Sequence, residues 1–378
     1  MDKLLSFYQQ FYGKSFNRHY RPINDKFSVN IDCNGSEQLI QLMRKERIPT
    51  NHYIETLNRQ DINVKQSAIM DRLFFDFDGY SKDAKLIKEE LHDLRKENLN
   101  KESSLQAALM EEYQRLLLDE KIAKQPIKEA KHFAESLFND FDVYPLMFFS
   151  GGKGAHLYVL FEPVELINPD KTIETLAEMI KENNKYENMD LAVNKDPTAR
   201  ISRIPYTIHP ISGCSVIPFS IDDDYETIIN NSINPDVSEI NIQNYKMKFD
   251  DKLKSFDEAV TIEIEREKKE IERARALKKQ NLILKGRNMK LLKGGYDKDK
   301  IDLRDIFRQE VSSDVKDYGH YIACKCPFHS DNKPSMLVGE KWFKCEACST
   351  SGNYVDFIMK LLGCSEKDAY IYLMELTQ

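Results

Sequence analysis

Four side chains near the end of the chain have the types and spacing of a metal cage. Cys326-x2-His329 is followed, 15 residues on, by Cys345-x2-Cys348. Each x2 pair sets two ligands on one tight turn, and the spacer can form strands that bring the turns together. Four protein ligands close a tetrahedral shell, which predicts one structural Zn2+. Cys324 competes by offset, but Cys326 keeps the Pro-Phe-His turn. Five of the seven cysteines lie in the last 55 residues. The opening MDKLLSFYQQFYGKSF is too polar for a signal peptide, so clustered thiols point to metal in a reducing cytoplasm rather than to disulfides.

Three further groups could act on phosphates. Phe74-Phe75-Asp76-Phe77-Asp78 puts carboxylates at i and i+2, on one face of a strand end. Paired acids offer the hard oxygens that Mg2+ or Mn2+ takes, although capped strand ends carry such pairs without any metal. Ser150-Gly151-Gly152-Lys153-Gly154-Ala155-His156 follows a strand. Its glycines let backbone approach a phosphate and Lys153 adds charge; a plain hairpin turn, with His156 a structural strand residue, is the alternative. The third group is an isolated acid, Asp190, followed by Arg200, Arg203 and His209 ahead of a turn at Gly213. The pattern G-x4-G-K-[ST] does not occur, which argues against an ATPase motor.

The elements that position these groups follow from periodicity. Met70–Phe77 is a short apolar run and predicts a buried strand. Tyr144–Phe161 predicts strand, loop, strand, and Ala199–Phe219 predicts strands. Residues 82–138 are rich in Lys, Glu, Leu and Ala and predict amphipathic helices broken near residues 98–104 and at Pro126. Thr172–Asn183 reads as helix, residues 225–250 as irregular, and residues 256–285 as one long charged helix. From Arg266 to Lys290, ten basic residues face three acidic ones, while the whole chain carries −7. That stretch is either a solvated spacer or a phosphate contact, the latter through Lys278, Lys279 and Arg287. With 18 Tyr and 20 Phe in 378 residues, the chain can bury a core, and no apolar run is long enough to span a bilayer.

The text from Cys326 through Leu373 resembles the zinc-binding domain of DnaG-type bacterial primases: CPFH, a Pro-Ser pair, a strand, a Cys-x2-Cys turn, a Gly and a Phe-containing helix, in that order. The resemblance implies that this domain engages single-stranded template through a basic, aromatic sheet, with Lys341, Trp342 and Lys344 as DNA-binding residues and Lys333 and Phe343 beside them. Alternation leaves open which of Trp342 and Phe343 points inward. In that family a catalytic Toprim domain follows the finger; the 30 residues after Cys348 leave no room for one, so the chemistry is expected upstream.

Upstream, the hhDhD pair, the SG-x-x-G-x-H loop, and a lone Asp before an R-x-P-x-T-x-H-x-x-S-G stretch together resemble the small catalytic subunit of the archaeo-eukaryotic primase superfamily. The SGGKGAH wording is also similar to the polymerase domains of bacterial end-joining ligases. The resemblance implies an α+β catalytic domain over 1–250 with a helical insertion at 82–138, a charged helical linker over 251–300, and a zinc-ribbon-like domain over 301–378. It implies Asp76, Asp78 and Asp190 as catalytic ligands of two Mg2+ or Mn2+. Ser150, Lys153, His156, Arg203 and His209 would bind the incoming nucleotide, with Arg200 a further candidate. Gly152 stands where family members carry a second basic residue, and Cys33 and Cys214 do not suffice for the zinc knuckle that many members have.

The function so implied is template-directed nucleotidyl transfer, making RNA or DNA primers on single-stranded DNA from NTPs or dNTPs. The alternatives are a gap-filling repair polymerase that extends but does not initiate, and a non-catalytic single-strand binder. A replicative helicase or an accessory subunit is a candidate partner. A swapped-module primase suggests a plasmid or viral replicon working in the nucleoid or host cytoplasm.

Overall fold

The computed structural model describes residues 3–24, 28–46, 50–62, 68–96, 104–195, 201–237, 240–288, 298–329, 331 and 333–377. In chain order they form α1 (Lys3–Phe11), β1 (Ser15–Ile23), β2 (Ile31–Gly35), α2 (Ser36–Lys45), β3 (Asn51–Glu55), β4 (Asn58–Arg59), β5 (Ala68–Asp78), α3 (Lys82–Lys96), α4 (Ser104–Leu117) and α5 (Glu120–Phe141). Then come β6 (Leu146–Phe149), β7 (Gly154–Val164), α6 (Pro169–Asn184), β8 (Ile201–Arg203), β9 (Ile217–Phe219), α7 (Tyr225–Ile233) and α8 (Asp250–Asn288). The tail holds α9 (Leu303–Glu310), β10 (Lys316–Asp317), β11 (Tyr321–Cys324), β12 (Met336–Gly339), β13 (Trp342–Cys345), β14 (Ser351–Asn353), α10 (Tyr354–Leu362) and α11 (Glu366–Thr377). The chain divides into two units, Met1–Ile262 and Glu263–Gln378.

In the first unit the strand pairs are antiparallel, in two sheets ordered β2-β1-β3-β8 and β4-β5-β7-β6-β9. The period of two in β5 sorts its side chains. Leu73, Phe75 and Phe77 enter a core shared with Ala123, Ile127, Ala130 and Phe133 of α5. Phe74 points the other way, into a core with Phe7, Tyr8 and Phe11 of α1 and with Tyr20 and Ile54 of the first sheet. Asp76 and Asp78 therefore share the Phe74 face.

Helix α5 runs through Pro126 instead of breaking there. Proline has no N–H to give the carbonyl four residues back, and that carbonyl, Ile122 O, lies against Gly79: a Cβ at Gly79 would stand 2.3 Å from it. The residues read as irregular from 225 include a helix, α7, whose cap Asp224 accepts from the Thr227 N–H at 2.8 Å. Where the first sheet meets β5, the fully buried Arg18 pairs with Asp71 at 3.0 Å and donates to the Glu55 carbonyl at 3.1 Å, its Nε alone left without a partner. A buried charge of this kind needs such partners. The start of α8 belongs to this unit: Leu253, Asp257 and Val260 are buried, and Asp257 accepts from the Ile167 and Asn168 amides and the Thr172 hydroxyl at 2.6, 3.0 and 2.6 Å.

The second unit is an antiparallel sheet, β10-β11-β12-β13-β14, covered by α9, α10 and α11. Alternation puts Ile322, Met336, Val338 and Phe343 into its core with Phe307, Phe357 and Leu373. Asn353 and Asp356 form a reciprocal capping box at the start of α10, and Gly363 closes that helix in the left-handed region.

Candidate active site and metal centre

The acids of β5 face β7. Asp76 lies directly across from His156, and Asp78 across from Gly154. No side chain fits at the second position: a Cβ on Gly154 would stand 2.1 Å from Phe77 O and 2.7 Å from Asp78 Oδ1. Asp190 arrives from far along the chain. Its N–H donates to Asp76 O at 2.8 Å, the Asp78 N–H donates to Asn188 O at 2.9 Å, and Phe77 bridges Met189. The exposed Asp190 carboxylate accepts from the Ala192 N–H at 2.8 Å.

Burial, then the charges of Asp78 and Asp190, push the Asp76 carboxyl well above the ordinary carboxylate range. Its Oδ1 is buried without a hydrogen-bond partner and lies 3.7 Å from His156 Nε2. Lys153 donates to Asp78 Oδ2 at 2.9 Å and to Gly79 O at 2.6 Å. Asp76, Asp78, Lys153 and His156 line a cleft of about 200 Å³ with Ser150, Arg203 and His209, and Asp190 stands beside it. The cleft also takes residues no motif announced. Tyr53 accepts from Arg203 at 3.1 Å and lies 5.2 Å beneath its guanidinium, and Asn51 accepts a second bond from it. Tyr113 and Leu117, four apart on α4, form another wall. Neither the sequence of Asn51–Glu55 nor the i, i+4 pair on α4 marks these residues as cleft-lining.

His209 Nδ1 accepts from the Ile211 and Ser212 amides at 3.2 and 3.1 Å, so Nε2 carries its proton. Burial, and then the nearby Arg203 charge, lower both His209 and His156 to about 3. Near neutral pH both are uncharged N–H donors, and the cations of the cleft are Lys153 and Arg203. The Ser212 hydroxyl donates to Gly151 O, tying the glycine loop to the turn after His209. Gly151 has φ of 79°, and a Cβ there would meet Cys214 O at 3.0 Å. Arg200 lies outside the described residues.

The three carboxylates are hard oxygen donors, and the buried, unsatisfied Asp76 Oδ1 is an atom a divalent cation would satisfy. The residues therefore fit Mg2+ or Mn2+ in type. Among the described residues, only Cys326, His329, Cys345 and Cys348 bring three or more ligating atoms within 4.8 Å of one another.

In that cluster Cys326 Sγ lies 3.9 Å from Cys348 Sγ, and His329 Nε2 lies 3.3 Å from Cys345 Sγ. Asp331 orients it, accepting from the Cys326 N–H at 2.8 Å and from the Ser335 hydroxyl. Cys324 is buried with its Sγ 3.6 Å from Met336 O, outside the cluster. Burial raises the Cys326 thiol to about 12. Burial also opposes ionisation of Cys345, but hydrogen bonds with Ser335, the Cys348 N–H and His329 lower it to about 6.

On β13, Phe343 is in the core against Phe357, ring centroids 5.2 Å apart, while Trp342 is 45% exposed. Trp342 lies across Gly339, where a Cβ would stand 2.3 Å from the indole nitrogen. Lys341 bonds the carbonyls of Lys298 and Ile301, both at 2.5 Å, and Lys344 pairs with Glu346 at 2.7 Å. Of the basic residues singled out on α8, Lys278 pairs with Glu310 and lies 5.4 Å from the Tyr372 ring centre. The Lys279 and Arg287 side chains lie outside the described residues.

Residues 296–378 match the family model of the CHC2 zinc finger, the zinc ribbon of DnaG. The C-terminal unit carries a CHC2 zinc finger. The chain is 34% identical over 80 residues to a DNA primase of Clostridium acetobutylicum, covering 21% of this chain and 13% of that protein. It is 37% identical over 54 residues to a DNA primase of Mycoplasma genitalium, covering 14% and 9%. The matched stretches are thus a small part of those primases. Among solved structures, the polymerase domain of Mycobacterium tuberculosis ligase D in complex with DNA matches at TM-score 0.35 and 10% identity, over 61% of this chain and 86% of that one. The primase-polymerase domain of cyanophage S-2L matches at 0.31 and 13%, over 61% and 97%. Similarity of that degree leaves the upstream site to be read from its own geometry. No helix among the described residues is long and apolar enough to cross a membrane.

Proposed function

We propose that the chain is a template-directed nucleotidyltransferase that makes primers on single-stranded DNA from NTPs or dNTPs. The observation that carries this reading is the meeting of Asp190 with Asp76 and Asp78 at one strand end, beside a cleft whose cations are Lys153, paired with Asp78, and Arg203, held by Asn51 and Tyr53. Asp76, Asp78 and Asp190 would hold two Mg2+ or Mn2+. Bound there, such ions would lower the pKa of the attacking 3′-hydroxyl and stabilise the attacking and leaving oxygens.

The protein's own groups supply position and charge. Arg203 is held by Asn51 and Tyr53, so its guanidinium meets a triphosphate with little rotamer freedom left to lose. Lys153 adds a second cation. His156 and His209 would donate neutral N–H bonds, and Ser150 with the glycine loop would offer close backbone approach. No side-chain nucleophile is required. The zinc finger would engage the template, with Trp342 as a stacking platform.

The deciding experiment supplies primer-free single-stranded DNA, labelled NTPs or dNTPs, and Mg2+ or Mn2+. Products of defined length from the wild type and none from Asp76→Ala/Asp78→Ala support the reading. Unimpaired synthesis by the double variant overturns the site, and extension only of a supplied primer overturns initiation.

A further inference from the structure

The first sheet carries a row of three side chains across its strands. Arg21 of β1 is registered opposite Tyr53 of β3, and Tyr53 opposite Arg203 of β8. Directly opposed residues of antiparallel strands project to the same face, so Arg21 shares the face that brings Tyr53 and Arg203 to the cleft.

Among the described, non-exposed arginines of the first unit, Arg18, Arg59 and Arg72 each have a carboxylate partner. Arg203 has Asn51 and Tyr53. Arg21 has neither: its Nε is buried with no hydrogen-bond partner. The acids available on this face are already taken. Glu55 is bound by Arg59 at 2.8 Å and by His19 at 3.1 Å, and Asp32 lies 3.5 Å from His19. A half-buried guanidinium without an anion is costly unless a ligand supplies one.

We propose that Arg21 forms a phosphate subsite of its own, one step outward from the triphosphate position at Arg203, with Tyr53 between the two guanidiniums. Two strand spacings separate the arginines, roughly 9–10 Å between backbones, so the group at Arg21 is a second phosphate and not the one Arg203 holds. The ligand is a phosphate diester of the nucleic-acid strand or the terminal phosphate of a bound nucleotide. The inference rests on the proposed polymerase reading and adds to it where the anionic chain runs.

The test uses the full chain with Arg21→Gln, and Arg21→Lys as the charge-retaining control, after thermal melting shows both fold like wild type. Fluorescence anisotropy measures binding of a labelled single-stranded oligonucleotide across a salt series, and incorporation assays give the nucleotide KM. Several-fold weaker oligonucleotide binding by Arg21→Gln, with the salt slope reduced by about 0.7, at unchanged KM, assigns the site to the strand. A several-fold higher KM with unchanged oligonucleotide binding assigns it to the nucleotide. If neither quantity changes, the proposal is overturned, as it is by equal loss in Arg21→Gln and Arg21→Lys. If the wild type incorporates no nucleotide, the polymerase reading fails while the anisotropy result still decides the anion site.

Discussion

The amide of Asp190 donates to the carbonyl of Asp76 at 2.8 Å, so two acids far apart in sequence are registered by main chain and not by their side chains. The carboxylates can therefore change without moving the strand end. Asp190→Ala should lower stability by only about 0.5–2 kcal/mol, the cost of the cap its carboxylate makes to the Ala192 N–H. It should still lose primer synthesis by two orders of magnitude or more. Paired melting and incorporation assays check this; a large drop in stability would mean the side chain builds the site.

Asp76 is expected to trade stability for function. Its folded-state pKa is raised by burial and by its neighbours, so the folded protein binds this proton more tightly than the unfolded chain does. Stability from this group is complete below the unfolded carboxylate's value, near 4. It declines as pH rises through the higher folded value. Asp76→Asn should therefore raise the melting temperature of the metal-free protein at neutral pH, flatten that decline, and abolish incorporation. Divalent-ion binding by the wild type should weaken as pH falls through the raised value, because cation and proton compete for one carboxylate. Melting curves from pH 4 to 8, with and without Mg2+, measure both effects.

Zinc removal should act on one unit. The finger's core is separate from the two cores of the first unit, and structural zinc sites of this kind supply much of their domain's folding energy. Chelation, or Cys345→Ser, is expected to abolish the near-ultraviolet signal of Trp342, the only tryptophan in the chain, and to leave the main melting transition of the first unit in place. Loss of both transitions together would contradict it.

Gly339 offers a way to move Trp342 without removing it. Alanine there would meet the indole at 2.3 Å, and the ring would have to swing off the sheet. If Trp342 stacks on template, Gly339→Ala and Trp342→Ala should each weaken single-strand binding by about 1–3 kcal/mol at full zinc content. Titration with a labelled oligonucleotide decides, and unchanged affinity in both variants removes Trp342 from the interface.

Local pattern exposed part of this molecule and hid the rest. The thiol spacing was legible because a metal turn is a short-range device. The strand at Met70–Phe77 was legible because a run buried on both faces has few other uses. Pro126 misled: the helix continues through it although position 126 has no N–H for the Ile122 carbonyl, against which Gly79 packs. The helix at Tyr225 was missed although Asp224 was a usable cap signal. Tyr53 and Tyr113, which line the cleft, and Asn51, which holds Arg203, were illegible because strand register and helix packing place them, and these are tertiary facts. The protonation state of the two histidines was equally illegible, since burial, with Arg203 nearby, is what keeps them neutral.

The contact between Gly79 and Ile122 has an evolutionary corollary. Immediately after Asp78, the chain slips under a carbonyl that α5 leaves idle because position 126 has no hydrogen to offer. An amino acid other than proline at 126 would reclaim that oxygen, and any bulk at 79 would be expelled by it. Position 79 therefore stays glycine whatever stands at 126, and drift that shifts this turn of α5 reaches the edge of the reaction centre through that contact.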